Sequence, residues 1–188
     1  MRFVVVCLLS CFVSICFAYR PPRNYDLVDV LWKVSLDDTT STVHGDVTNT
    51  IRPLRFPLLA ITFDCGAALQ VKKVQANGKD MKFIHYGDSL TFKLPKVEKG
   101  RVAVRIVYSG QPQAGMYFIP ASRAFPSHYP VIYTQGEMED TRHWLPTYDY
   151  PDDKSGSECY IDVPTSYYAV SNGALVGTSQ KNGRKVFH

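Results

Sequence analysis

The chain has 188 residues, enough for one domain with a real core and too few for two. Hydrophobic residues make up 45% and charged residues 20%, a globular balance that excludes a disordered chain, and the formal net charge of +4 is too mild and too dispersed to imply nucleic acid. Aromatics reach 13%, with 12 Tyr and 10 Phe, which leans towards β-structure.

Residues 1–18 read as a secretory signal peptide: one positive charge at Arg2, an apolar run, then small residues at Cys16 and Ala18. The run is short for the ~20 residues that span a bilayer, so the expectation is cleavage after Ala18 and export to a periplasm or the extracellular space. The domain then occupies 19–188. No later stretch is long enough to span a membrane; the longest apolar run, 57–63, has strand length. No Asn-x-Ser/Thr sequon occurs, which leans towards a bacterial envelope. Cys7, Cys11 and Cys16 leave with the signal. Cys65 and Cys159 remain, and either pair as a disulfide or stay as thiols in separate strands.

From there the chain reads as strands. Val28, Val30, Trp32 and Val34 alternate across the first, and Val43, Gly45, Val47, Asn49 and Ile51 across the second, closed by Pro53. A third covers 58–63. Strands at 71–76 and 81–86 flank Asn77-Gly78, a strong hairpin signal. Leu90, Phe92 and Leu94 follow Gly87-Asp88, and Val102, Val104, Ile106 and Tyr108 alternate cleanly up to Ser109-Gly110. Later strands fall at 117–119, 131–134, 160–163 and 168–171, and Asn172-Gly173 and Asn182-Gly183 punctuate two last short ones. No window carries a helical apolar stripe. The pattern predicts an all-β fold of antiparallel sheets, saddle-like or a sandwich, with no helix beyond about two turns.

Between Gly110 and Gly156 the meander gives way to Pro, Tyr, Trp and paired charges, the kind of loop that carries function on a rigid β-scaffold. Gln135 and Glu137 stand two apart, so in an extended chain their side chains leave one face. An amide and a carboxylate there can cradle an ammonium group. The same spacing also fits a solvated carboxylate, or one paired with Arg142.

This segment resembles the end of the N-terminal domain of zinc aminopeptidases of the aminopeptidase N type, peptidase family M1. The family pattern T-Q-x-E-x-x-x-x-R-x-x-x-P-x-x-D-x-P-x-x-K is matched by Thr134, Gln135, Glu137, Arg142, Pro146, Asp149, Pro151 and Lys154. Downstream, Val163-Pro164 and Tyr168-Ala169-Val170-Ser171-Asn172-Gly173 look like the family's later strand and turn, and Gly115-Met116-Tyr117-Phe118 fits its first sheet. The resemblance implies a β-saddle domain packed over a thermolysin-like catalytic domain of the same protein, with peptide N-termini as the ligand. It implies that Glu137 helps bind the substrate α-amine and Gln135 lines the first side-chain pocket. Arg142, Pro146, Asp149 and Lys154 read as structural, an ion-paired turn supporting that cradle.

The family's zinc is held by H-E-x-x-H and a downstream Glu. His44, His85, His128, His143 and His188 are none of them followed by Glu, and no two stand at i, i+4. The expectation is therefore no catalytic or metal-ligating residue in these 188 residues, with zinc in the catalytic domain of the family. Gly136-Glu137-Met138-Glu139-Asp140 imitates the family's G-x-M-E-N motif, but it sits inside the Gln-x-Glu segment with no zinc motif after it, and the match is rejected. Residues 184–188 read as the opening of a strand where family domains continue, which points to a fragment. The alternative is a free-standing secreted β-domain that binds a partner or peptide. A disulfide-stabilised adhesion sandwich would leave the 135–154 pattern accidental.

Overall fold

In the computed structural model, residues 23–97, 99–121 and 129–188 are described. The expected signal segment 1–18 and His128 lie outside them. The first two strands are long: β1 (Tyr25–Asp37) and β2 (Thr42–Pro53) form an antiparallel pair. In β2 every residue at the odd positions from Val43 to Pro53 is buried, as its alternation predicts. In β1 the phase differs from expectation. Tyr25 and Leu27 point inward, a register shift between Leu27 and Asp29 turns Val28 off the core face, and Val30, Val34 and Leu36 resume burial. A bulge inserts one residue and flips the alternation.

The remaining strands are β3 (Leu58–Asp64), β4 (Leu69–Ala76), β5 (Lys79–Asp80), β6 (Phe83–Tyr86), β7 (Ser89–Val97) and β8 (Val102–Gly110), then β9 (Met116–Ile119), β10 (Val131–Thr134), β11 (Gly156–Pro164), β12 (Thr178–Lys181) and β13 (Arg184–Phe187). They form an eight-stranded sheet in the order β12-β13-β11-β1-β2-β8-β4-β5, a three-stranded sheet β3-β7-β6 and a β10-β9 ribbon. Among the described residues the only helical element is a 3₁₀ turn at Thr141–His143. The all-β fold is as the strand and turn spacing predicts.

Three details differ. The Asn77-Gly78 hairpin, with φ of 47° and 78°, returns only through the two residues of β5. The chain then leaves for the second sheet, so 81–86 contributes β6 there instead of a long hairpin arm. Residues 168–171 join no ladder. And β11 lies parallel to β1, with Trp32 opposite Cys159, so the large sheet is mixed rather than antiparallel throughout. A parallel neighbour needs a long crossover, and the segment between β8 and β11 provides it.

The core fills the space between the two larger sheets. Val43, Val47, Ile51, Val104 and Ile106 of the large sheet and Phe63, Ile61, Leu90 and Phe92 of the small one are all buried in one cluster. Tyr25 meets Phe63 edge-on with ring centroids 5.5 Å apart, and its hydroxyl donates to the Thr62 carbonyl at 2.8 Å, tying β1 to β3. Cys65 and Cys159 are free. Burial, with the nearby Asp88 and Asp64 charges, pushes the Cys65 thiol up to about 12, so it packs as an inert thiol.

Candidate functional site

Gln135 and Glu137 stand just beyond the ribbon. The β10-β9 ladder ends with Thr134 opposite Met116. The Gln135 N–H then donates to the Gly115 carbonyl at 2.9 Å, extending the pairing by one bond. A turn begins at Glu137 and closes when the Asp140 N–H donates to the Gly136 carbonyl at 3.2 Å. Gln135, Glu137 and Met138 are exposed. Neither the Gln135 amide nor the Glu137 carboxylate is hydrogen-bonded to a described residue, so their acceptor oxygens face solvent.

Arg142, the arginine nearest to it in sequence, does not neutralise Glu137. Arg142, with its side chain only 13% exposed, is shared by three other carboxylates: Asp64 at 3.4 Å, Glu139 at 2.9 Å and Asp149 at 3.2 Å. Its guanidinium also lies over the Tyr150 ring, 5.2 Å from the centroid. Its backbone joins in. The Arg142 carbonyl accepts from the Gly66 N–H at 2.7 Å, and its N–H donates to Asp149 Oδ2 at 2.9 Å. Burial raises the carboxyl groups of Asp64 and Asp149 above their ordinary range, partly offset in both by hydrogen bonds and the Arg142 charge. For Arg142 burial works against the charge, but the surrounding carboxylates outweigh it and the net shift is upward.

Below this node the chain is pinned to both sheets. The Asp149 N–H donates to Asp64 Oδ2 at 3.0 Å, and Asp64 and Thr147 exchange backbone hydrogen bonds of 2.8 and 3.0 Å at the end of β3. From β2, the fully buried Asn49 donates to the Pro146 carbonyl at 3.1 Å and accepts from the Thr147 hydroxyl at 2.8 Å. Trp144 stacks edge-on against Trp32 of β1 at 5.5 Å. The structure thus gives Arg142, Pro146 and Asp149 positions in one buried support, whereas Lys154 is exposed and makes no ion pair among the described residues. Sequence reading missed Asp64, Asn49 and Glu139 as members. Only Asn49 left a signal, a polar residue at an inward position of an otherwise apolar alternation.

A zinc ion does not fit these residues. Among the described residues no three His, Cys, Asp or Glu side chains converge as metal ligands. His85 shares a hydrogen bond with the Cys65 carbonyl at 3.0 Å, His143 stands 3.8 Å from Asp140, and His188 sits 2.7 Å from Glu158 while stacked on Tyr160. Nor is any helix of the described residues long and apolar enough to cross a membrane.

Comparison with known proteins gives a consistent picture. No curated protein matches the chain. Among solved structures, a two-domain M1 zinc metallopeptidase bound to L-tryptophan superposes with a TM-score of 0.75 at 24% identity, covering 88% of this chain and 39% of that one. An M1 zinc metallopeptidase from Deinococcus radiodurans, bound to a Tyr-Ser-Ala substrate, gives 0.73 at 24% identity over 88% and 38%. Yeast LTA4 hydrolase gives 0.70 at 15% identity over 87% and 26%. At these identities the likeness shows the fold, and the chain spans well under half the length of each neighbour. The family model described as the peptidase M1 N-terminal domain matches residues 21–188, and the chain belongs to that family.

Proposed function

We propose that this domain is the amine-recognising part of an exported zinc aminopeptidase, working over a catalytic domain of the same protein that carries the metal and the chemistry. The observation that carries this reading is the division of labour between Glu137 and Arg142. Three carboxylates hold the only arginine of the segment, and Glu137 stays exposed and unpaired among the described residues. A free carboxylate beside a free amide offers two kinds of acceptor to one ammonium group. Charge-assisted hydrogen bonds of this sort contribute about 1.5–3 kcal/mol each. An acceptor set fixed on a rigid support admits chain ends and rejects chain interiors, the selectivity an exopeptidase requires. Gln135 has its backbone held by Gly115 and its amide free, which suits a wall of the first side-chain pocket.

The neighbours support the ligand class. Those solved with Tyr-Ser-Ala and with L-tryptophan bind molecules that carry a free α-amine. Zinc supplies Lewis-acid and water-activating chemistry in that family; the residues of this chain bind and orient the amine.

The test is Glu137→Gln in the full-length zinc enzyme. The amide preserves shape and removes the charge, so kcat/KM for a free-amine substrate falls by roughly 10–150-fold. Binding of an amine-blocked analogue changes little, because substitution and blocking remove the same interaction. Equal sensitivity of wild type and variant to amine blocking places the anchor elsewhere and returns Glu137 to a solvated surface role.

A further inference from the structure

The 135–140 loop is held by two positions where a side chain has no room. Gly115, at φ +72°, touches both ends of it. Its carbonyl accepts the Gln135 N–H at 2.9 Å, and the Asp140 carbonyl carbon lies 2.7 Å from where its Cβ would stand, with the carbonyl oxygen closer still. Gly136, between the two acceptors, has no positive φ, but a Cβ there would meet the Thr141 hydroxyl at 2.5 Å. Thr141 itself is held in place by its backbone, whose carbonyl accepts from the Leu145 and Trp144 N–H groups at 2.9 and 3.1 Å.

We propose that Gly115 and Gly136 are positioning residues for amine recognition, setting where Gln135 and Glu137 present their oxygens by letting Asp140 and Thr141 approach the backbone closely. The proposal rests on the amine-binding role of Glu137. It assigns the loop's placement to the packing of two glycines, and it links that placement to the ion-paired support through Thr141, the residue before Arg142 in the 3₁₀ turn. A Cβ at Gly115 meets backbone and must push the loop outward by the amount it overlaps, and one at Gly136 displaces either the loop or the Thr141 side chain. Displacements of about 1 Å at an anchoring group cost up to about a hundredfold.

The structure supplies its own controls. Gly78 has nearly the same φ, +78°, with nothing within 4 Å of an added Cβ, so Gly78→Ala carries the left-handed backbone strain without a displacement. Thr141→Ala removes the hydroxyl, leaving the Thr141 Cβ at 3.8 Å and backbone nitrogen at 3.9 Å as the nearest atoms to an alanine at 136, ordinary contacts.

The experiment measures, by calorimetry on the full-length zinc protein, the affinity for an amino-acid amide and for the same amide lacking its α-amine. The ratio of the two is the readout, since loss of folded protein lowers both alike. Gly115→Ala and Gly136→Ala are expected to reduce the ratio roughly tenfold or more, and Gly78→Ala to leave it within about twofold. Adding Thr141→Ala to Gly136→Ala restores most of it. A Gly115→Ala ratio equal to that of Gly78→Ala, or no restoration by Thr141→Ala, overturns the proposal. Should Gly115→Ala fail to fold, the Gly136–Thr141 pair decides alone. If Glu137→Gln itself leaves the ratio unchanged, the amine-binding reading fails first, and the glycine result is then read as a fault in that premise.

Discussion

The backbone N–H and the guanidinium Nε of Arg142 donate to the same oxygen, Oδ2 of Asp149, at 2.9 and 3.2 Å. One carboxylate oxygen thereby fixes both the turn and the side chain that grows from it, and Asp64 ties this point to β3. The arrangement depends on the planar fork of arginine, which a lysine cannot reproduce.

Arg142→Ala is expected to lose about 3 kcal/mol of stability, because it leaves the half-buried Asp64 and the buried Asp149 without their counter-charge. Arg142→Lys keeps the charge and loses the geometry, and falls between the two. Urea unfolding midpoints with unchanged slopes measure this. A lysine variant as stable as the wild type would reduce the node to simple charge balance.

Asn49 carries the second prediction. Its amide is the only described group that bonds both the Pro146 carbonyl and the Thr147 hydroxyl from beneath. Asn49→Leu fits the apolar alternation of β2 yet strands both polar groups, at a cost of about 2–4 kcal/mol. Thermal unfolding of that variant above the wild-type temperature would show that the two groups find other partners.

These two residues mark what was legible in the sequence. The β2 and β8 alternations, the turns at Asn77-Gly78 and Asn182-Gly183, and the end of β10 before Gln135 follow from local pattern and turn chemistry. The phase of β1 did not, because a bulge is one unpaired residue with no composition of its own. Nor did the Arg142 node. Asp64 and Asp149 are 85 residues apart, and nothing local marks Asp64 as other than the last residue of an edge strand. The resemblance points to Glu137, while Glu139, two residues on, is the one that pairs with Arg142.

A third prediction concerns acid. Hydrogen bonds from Thr39 and Thr40 hold the Asp37 carboxyl down to about 2, against an ordinary value of 3.8. A lowered folded value means that the unfolded chain binds the proton more readily. Asp37 therefore contributes stability above pH 3.8, and that contribution is lost as pH falls through about 2. Asp64 and Asp149, whose values are raised by burial, act in the opposite sense: their contribution is present below the unfolded value and lost as pH rises through the raised one. Asp37→Asn should be less stable than wild type at pH 6, and the gap should close towards pH 2. A gap that stays constant across the denaturation series would mean the turn bonds equally well to the protonated acid.

The last prediction runs against the habit that core substitutions destabilise. Tyr108 in β8 faces Gly45 in β2, and its ring occupies the space where a Cβ of residue 45 would be. Gly45→Ala should therefore overpack the sheet and cost at least about 2 kcal/mol. Tyr108→Phe should do the reverse. The Tyr108 hydroxyl is buried with no hydrogen-bond partner among the described residues, and burial raises its pKa well above the ordinary value. Removing an unsatisfied buried hydroxyl while keeping the ring recovers about 1 kcal/mol. For a chain of this size that is a rise of roughly 2–4 °C in Tm by scanning calorimetry. A fall in Tm instead would show that the hydroxyl is satisfied by an internal water, and that β8 needs that water as part of its packing.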